Sequence, residues 1–119
     1  MNLPTRDLKE RSFEFLLRII KLCQQLDKTA GCSRRLSNQL FRSGTSVGAN
    51  IEEATGSQSK ADFTAKMHIS CKEARETHYR LRLLAESGLM DPKKLASIID
   101  QSNQLVAILT TITKNSRKK

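Results

Sequence analysis

Two histidines, His68 and His78, are the side chains of this sequence best suited to acid–base or metal chemistry. They lie ten residues apart in one predicted helix, and no cysteine or carboxylate pair completes a metal-binding spacing. All-α ribonucleases that place an arginine four to six residues before a histidine offer a catalytic alternative, but Arg75 precedes His78 by only three. The sequence therefore predicts no catalytic site, no metal and no cofactor.

A glycine-containing run, Gly44-Thr45-Ser46-Val47-Gly48, has the small residues of a phosphate-binding loop. It lacks the Gly-Lys-Ser/Thr that completes such a loop, and no strand is predicted before it. Apolar residues instead recur here at helical spacing, in phase with Gly44: Leu36, Leu40, Val47, Ile51 and Ala54. Two glycines inside a helix cost about 1 kcal/mol each relative to alanine. We therefore expect this helix to make the closest helix contact of the fold.

Basic residues exceed acidic residues by 21 to 12, a net charge of +9. The excess is greatest in the last 29 residues, which hold six basic and two acidic side chains. The predicted nucleic-acid contacts are Lys114, Arg117, Lys118 and Lys119 in a frayed basic tail, followed by Arg34, Arg35 and Arg42. A solvated helix end, whose cations suit the helix dipole, is the alternative interpretation of the tail. No aromatic residues alternate with these cations, which argues against base stacking.

The composition indicates one α-helical domain in a reducing compartment. A chain of 119 residues is long enough for a single core. Leucine, isoleucine, alanine and long polar residues dominate, whereas valine is scarce, which favours helix over strand. Three cysteines without C-x-x-C spacing are typical of reduced cytosolic thiols. No signal peptide and no long apolar run is present, so we expect a soluble, cytoplasmic protein without membrane contact.

Apolar periodicity predicts four helices, at about 5–28, 34–54, 59–86 and 92–113, in a domain of residues 1–113 followed by a basic tail at 114–119. Ser33 and Ser59 are predicted N-caps, and Gly88 is a predicted C-cap. Asp91-Pro92 has the sequence of a helix start. Short connections make successive helices antiparallel neighbours, so the pattern predicts an all-α, up-down-up-down four-helix bundle.

Two features of the predicted helices concern packing. The residues expected in the helix contacts are Gly44, Val47, Gly48, Ile51, Ala54, Phe63, Met67, Ala74, Leu81 and Leu84. Asn50 and Glu53 are predicted to meet Lys72 or Arg75 of the third helix, or else to form an ordinary solvated face. The first helix carries apolar residues around too much of its circumference for one buried stripe, which predicts a subunit contact.

Several segments together resemble a known family. They are the run from Arg42 to Ala54, Ser59 to Phe63, Lys72 to Tyr79, Arg82 to Leu84, Phe13 to Phe15 and Ile19 to Leu22. They are similar to bacterial four-helix bundle proteins associated with intervening sequences of 23S ribosomal RNA genes, and the resemblance covers about residues 8–90. The sequence departs from the pattern at Arg80, where an aromatic residue is expected. The basic tail is not part of the family signature.

The resemblance implies a ring-shaped homopentamer of antiparallel bundles. A distant relative, the accessory protein of diversity-generating retroelements, forms a positively charged ring, binds nucleic acid and assists a reverse transcriptase. We therefore expect a non-enzymatic oligomer that binds structured RNA or DNA through a basic surface, with ribosomal RNA or a reverse transcriptase as further candidate partners. A protein-interaction scaffold, whose charge only maintains solubility, is the alternative.

Overall fold

The computed structural model describes the backbone of residues 3–117 and the side chains of residues 7–116. This range is all-α, without strands, and contains α1 (Leu3–Leu26), α2 (Cys32–Thr55), α3 (Lys60–Ser87) and α4 (Pro92–Arg117). Helices of 24 to 28 residues are about 36–42 Å long. The described part measures 45 × 20 × 20 Å, so all four helices must lie along its long axis.

Capping interactions set several of the helix ends. Ser59 caps α3, since its hydroxyl accepts a hydrogen bond from the backbone N–H of Asp62 at 3.0 Å. Gly88 ends α3 in the left-handed region, at a φ of 83°. The predicted cap at Ser33 is wrong, because α2 already begins at Cys32, after Gly31, whose φ is 95°. Ser33 is buried within the first turn instead.

The C-terminal helix is longer than the sequence pattern predicts. α4 continues to Arg117, four residues beyond the predicted end at 113, and a 2.9 Å hydrogen bond between the hydroxyls of Thr64 and Ser116 joins its last turn to α3. Lys114 therefore lies on a regular helix and not in a frayed tail. The side chain of Arg117, together with Lys118 and Lys119, lies outside the described residues.

The small residues of α2 face α1. A Cβ atom on Gly48 would stand 2.8 Å from Leu16 Cδ1, and one on Gly44 would stand 3.2 Å from Ile19 Cγ2. Either distance is shorter than an ordinary van der Waals contact. The glycines therefore leave space that α1 side chains fill. This packing explains why α2 contains two glycines although glycine weakens a helix.

Buried hydroxyl groups join α2 to α3 on its other side. Ser70 Oγ donates a 2.8 Å hydrogen bond to the carbonyl of Val47. Ser43 Oγ lies 2.8 Å from Thr77 Oγ1, and Thr77 in turn donates to the carbonyl of Glu73. Because the single Thr77 proton is used in that second bond, Ser43 is the donor of the first. Both bonds are completely buried, so polar groups hold α2 and α3 in one relative register.

A single aliphatic core runs between the four helices. Of the ten residues predicted to pack between helices, nine are buried and Phe63 is half-buried against the core. The α4 stripe contributes Leu95, Ile98, Leu105 and Leu109. Each helix contacts two others, and α1 and α4 form the most open of these contacts. Arg18 of α1 spans that seam and donates to the side chains of Ser97 and Gln101 on α4.

The contact between α2 and α1 can be tested with Gly48→Leu. A leucine there would overlap Leu16 and force the two helices apart, at a cost of about 1–3 kcal/mol in the free energy of unfolding. Ala49→Leu is the matched control, since Ala49 is the next residue of the same helix and is exposed. Urea denaturation monitored by circular dichroism measures both variants. Equal stabilities for them would contradict a close contact at Gly48.

Candidate nucleic-acid interface

The three arginines predicted to contact nucleic acid on α2 have different environments. Arg34 donates to the carbonyl of Asp27 at 2.9 Å and so braces the connection between α1 and α2. Arg35 is exposed. Arg42 forms ion pairs with α3, at 3.3 Å to Glu73 and 3.1 Å to Glu76. The charge of Arg42 is therefore largely balanced within the bundle, which makes it the weakest of the three candidates.

The structure does not bring the predicted cations together. Arg34 and Arg35 lie in the first turn of α2, next to the end of α1. Lys114 lies near the last turn of α4, which is joined to the first turns of α3, just after α2 has ended. Because α2 is 24 residues long, the two groups are separated by most of a helix of about 36 Å. They form two basic areas rather than one.

Three acidic side chains of α2 and α3 form ion pairs along the seam between these helices. Glu73 and Glu76 pair with Arg42, and Glu76 also pairs with Arg80 at 3.4 Å. Glu53 pairs with Lys66 at 2.8 Å, and this hydrogen bond raises the pKa of Lys66. Such pairs near the surface add little stability, but they neutralise one another's charge on this side of α3.

The predicted contact of Asn50 and Glu53 with Lys72 or Arg75 is wrong. Asn50 donates to the carbonyl of Ser46 at 2.9 Å, within its own helix. Glu53 binds Lys66, which lies about 1.7 helical turns before Lys72. Lys72 and Arg75 are instead directed to the other side of α3, towards α4.

A basic groove lies between α3 and α4, and we call it the α3–α4 groove. Its volume is about 290 Å³, and it is lined by His68, Cys71, Lys72, Arg75, Thr110, Thr113 and Lys114. Arg75 Nη2 donates to Thr110 Oγ1 at 3.3 Å, so the guanidinium is held across the groove. None of these lining residues is acidic. The groove therefore presents three cations to solvent without a compensating carboxylate in its wall.

Among the residues that line this groove, only Lys114 was predicted from the sequence to contact nucleic acid. His68, Lys72 and Arg75 follow each other at intervals of four and three residues, and Thr110 precedes Lys114 by four. Those intervals place each set on one face of a helix. The spacing of the first set was a usable signal for a basic face on α3. The adjacent glutamates obscured it, because the sequence does not show that Glu73 and Glu76 turn towards α2.

His78 forms a second polar cluster between α3 and α4. Its Nδ1 lies 2.7 Å from Ser102 Oγ, and Ser102 donates to the carbonyl of Ile99. Since the Ser102 proton is used there, Nδ1–H is the donor to Ser102. Burial, with the positive charge of Arg82, lowers the pKa of His78. Ser102 is only 1% exposed, so the pair does not have an accessible nucleophile and is structural.

The thiol of Cys23 is similarly suited to packing rather than chemistry. Cys23 is buried and donates to the carbonyl of Ser37 at 3.4 Å, while Ser37 donates to the carbonyl of Cys23 at 3.3 Å. Burial raises the pKa of the thiol, which keeps it protonated and unreactive at neutral pH. The two reciprocal bonds join α1 to α2.

Three large apolar side chains of α1 and α2 are exposed. Phe13 is 61% exposed, Phe41 50% and Leu17 48%. Phe13 and Leu17 are one helical turn apart on α1, and Phe13 shares a surface depression with Glu52 of α2. Neighbouring exposed apolar side chains such as Phe13 and Leu17 are typical of interaction sites. We call Phe13, Leu17 and Phe41 the apolar surface of α1 and α2.

Two further properties concern the helices and the possible metal ligands of the described residues. No helix between residues 3 and 117 is long and apolar enough to cross a membrane. Within the same part of the chain, no three histidine, cysteine or carboxylate side chains are grouped as they would be around a metal ion.

Comparisons with known proteins agree with the resemblance seen in the sequence. Residues 6–111 match the family model of the 23S rRNA-intervening sequence protein. The crystal structure of a Bacteroides thetaiotaomicron protein with unknown function, from the S23 ribosomal protein family, is 38% identical in sequence and has a TM-score of 0.85. The alignment covers 94% of this chain and 99% of that one. No curated protein matches the chain.

The lowered pKa of His78 predicts a pH dependence of stability. The folded state favours the neutral imidazole, so its contribution is complete above the ordinary pKa of 6.5 and is lost as the pH falls through the lower pKa of the folded state. The free energy of unfolding, from urea denaturation at pH 8 and pH 5.5, should therefore fall less in His78→Gln than in the parent. His68→Gln, at an exposed histidine, should behave like the parent. Equal pH dependence in all three proteins would contradict this role of His78.

Proposed function

This chain belongs to the 23S rRNA-intervening sequence protein family, and from that premise we propose that it is a non-enzymatic accessory protein that binds structured RNA or duplex DNA through phosphate contacts. The observation that carries the proposal is the α3–α4 groove, in which Lys72, Arg75 and Lys114 converge from two helices without an acidic residue among them. Cations arranged in this way attract phosphates regardless of base sequence.

The distribution of charge supports binding more strongly than the net charge does. A net charge of +9 keeps many proteins soluble and does not by itself indicate a partner. Here Glu73 and Glu76 of α3 are paired with Arg42 and Arg80 on one side of the helix, whereas Lys72 and Arg75 lie on the other. Pairing on one side leaves a positive field on the other, which is the arrangement expected for a polyanionic ligand.

Family context favours RNA over DNA as the ligand. The family is described by its association with 23S ribosomal RNA intervening sequences, so ribosomal or other structured RNA is the first candidate. The distant relationship to retroelement accessory proteins adds a reverse transcriptase as a candidate protein partner. A scaffold without a nucleic-acid role is the second candidate function, and the exposed apolar surface of α1 and α2 is the observation that favours it.

A binding role, rather than catalysis, agrees with the environment of the two histidines. His78 donates to a buried serine, and His68 lies in the basic groove without a carboxylate in the same wall.

We also propose a cytoplasmic location for the protein. Cys23, Cys32 and Cys71 are free thiols, as is usual in reducing compartments.

The proposed topology and assembly follow from the lengths of the elements. Connections of four or five residues reach about 18 Å at most, which is too short to return along a helix of about 36 Å. We therefore propose that successive helices alternate in direction, up-down-up-down. The apolar surface of α1 and α2 is the proposed contact between copies, and the family resemblance suggests a ring of five.

Nucleic-acid binding can be tested with Lys72→Ala/Arg75→Ala/Lys114→Ala. This triple variant should bind a structured RNA and a duplex DNA more weakly than the parent. The slope of log K against log salt should also become shallower by about two to three units, because three phosphate contacts are lost. Fluorescence anisotropy across a salt series measures both quantities.

The control for this test is Lys21→Ala/Lys93→Ala/Lys94→Ala, which removes the same charge from exposed residues outside the groove. It should retain most of the affinity and of the salt slope. Equal losses in the two variants would mean that binding is spread over the whole surface. If the parent forms no complex with either nucleic acid at low salt, the scaffold function replaces this proposal.

Assembly has a separate test. Light scattering of the parent at micromolar concentration should give about 67 kDa, five times the 13.4 kDa of one chain. Phe13→Glu should lower that mass, because a charge would be buried in the contact at an unfavourable desolvation cost. Ile69→Glu, at an exposed apolar residue of α3, is the matched control and should leave the mass unchanged. A monomeric parent would contradict the assembly.

A further inference from the structure

The α3–α4 groove has the properties of a discrete pocket as well as those of a basic surface. Its volume of about 290 Å³ accommodates an anion and several waters, since one water occupies about 30 Å³ in the liquid. Two buried side chains, Cys71 and Thr113, form part of its wall, and the exposed cations surround it. A ligand would therefore enter between the helices rather than lie across them.

The guanidinium of Arg75 is oriented before any ligand binds. Its Nη2 donates to Thr110 Oγ1 at 3.3 Å, and Thr110 lies 3.6 Å from Cys71 Sγ. Arg75 spends one of its five N–H donors on Thr110 and retains four for other partners. A planar fork fixed in this way loses less side-chain entropy when it binds an oxyanion.

We infer that the α3–α4 groove is a discrete site for a single phosphate group of a nucleotide chain, an inference that rests on the proposed function and makes it more specific. Arg75 would bind two phosphate oxygens through its fork. Lys72 of α3 and Lys114 of α4 supply point charges from the two walls. His68 adds a ring nitrogen on the same side of α3 as Lys72.

The composition of the site selects phosphate over a carboxylate. A carboxylate presents two oxygens in one plane and is satisfied by one arginine fork. Three cations from two helices surround the ligand from different directions, which suits a tetrahedral group with more acceptor oxygens. Glu73, the acidic residue next to Lys72 in the sequence, is engaged by Arg42 at 3.3 Å and does not compete for the groove.

The first experiment uses inorganic phosphate and the unmodified protein. Amide resonances are followed by two-dimensional NMR while phosphate replaces chloride at constant ionic strength. We expect saturable shifts confined to residues around Lys72, Arg75, Thr110 and Lys114. A structured RNA should perturb the same resonances, and comparison of that RNA with and without a 5′ phosphate separates a terminal phosphate from an internal phosphodiester.

Arg75→Lys tests the fork without changing the charge. It should weaken phosphate binding by roughly tenfold, the effect of one lost charge-assisted hydrogen bond, and leave the salt slope for RNA nearly unchanged. Arg11→Lys, at an exposed arginine of α1 outside every proposed contact, should change neither property. Lysine keeps the positive charge at position 75 but cannot replace the arginine fork, because an ammonium lacks the planar pair of donors.

Three outcomes would overturn this inference, and they differ in what they mean for the proposed function. Non-saturating shifts spread over many lysines, with RNA binding intact, would overturn the phosphate site and leave nucleic-acid binding in place. If the parent protein binds neither RNA nor phosphate, both the phosphate site and the proposed function are overturned. Equal affinity of Arg75→Lys and the parent for phosphate would also contradict the site.

Discussion

The close packing of α2 against both of its neighbours is the constraint on which the other features depend. Gly44 and Gly48 let Leu16 and Ile19 of α1 approach the backbone of α2. On the opposite side, the Ser70 hydroxyl reaches the Val47 carbonyl. A buried hydrogen bond of this length fixes both the distance and the rotation of α3 relative to α2. The rotation of α3 then decides which of its charged residues face α2 and which face α4.

The charge asymmetry of α3 is a consequence of that rotation. Glu73 and Glu76 meet Arg42 across the α2 seam, while Lys72 and Arg75 are turned towards Thr110 and Lys114. A different rotation would place acids and bases on the same exposed face, where they would cancel. The basic α3–α4 groove is therefore produced by core packing, because residues adjacent in sequence are separated onto opposite sides of one helix.

The sequence predicts which apolar residues are buried, because burial follows the helical period. It does not predict which residues the charged side chains contact. The apolar residues of α3 and α4 recur at three and four residues, and their burial follows directly from helix geometry. The partners of charged side chains depend on the relative rotation of two helices, which no single helix encodes. For that reason Arg42, a predicted nucleic-acid contact, is ion-paired with α3. Arg75, one of two predicted partners of Asn50 and Glu53, contacts α4 instead. The extra turn of α4 has the same origin, since the Thr64–Ser116 bond that stabilises it is made with α3.

The proposed assembly surface and the proposed ligand-binding groove lie on different sides of the bundle. α1 contacts α2 and α4 but not α3 over the described residues, so Phe13 and Leu17 lie on a helix that is remote from the wall formed by Lys72 and Arg75. A second copy docked on α1 would cover apolar surface, which is favourable at about 25 cal/mol per Å², without desolvating the cations of the groove. Repetition of the chain around a ring would then repeat the groove as well, and several weak phosphate contacts on one assembly would act together on a single nucleic acid. Under the proposed assembly, binding strength would come from the number of phosphate contacts rather than from readout of the bases.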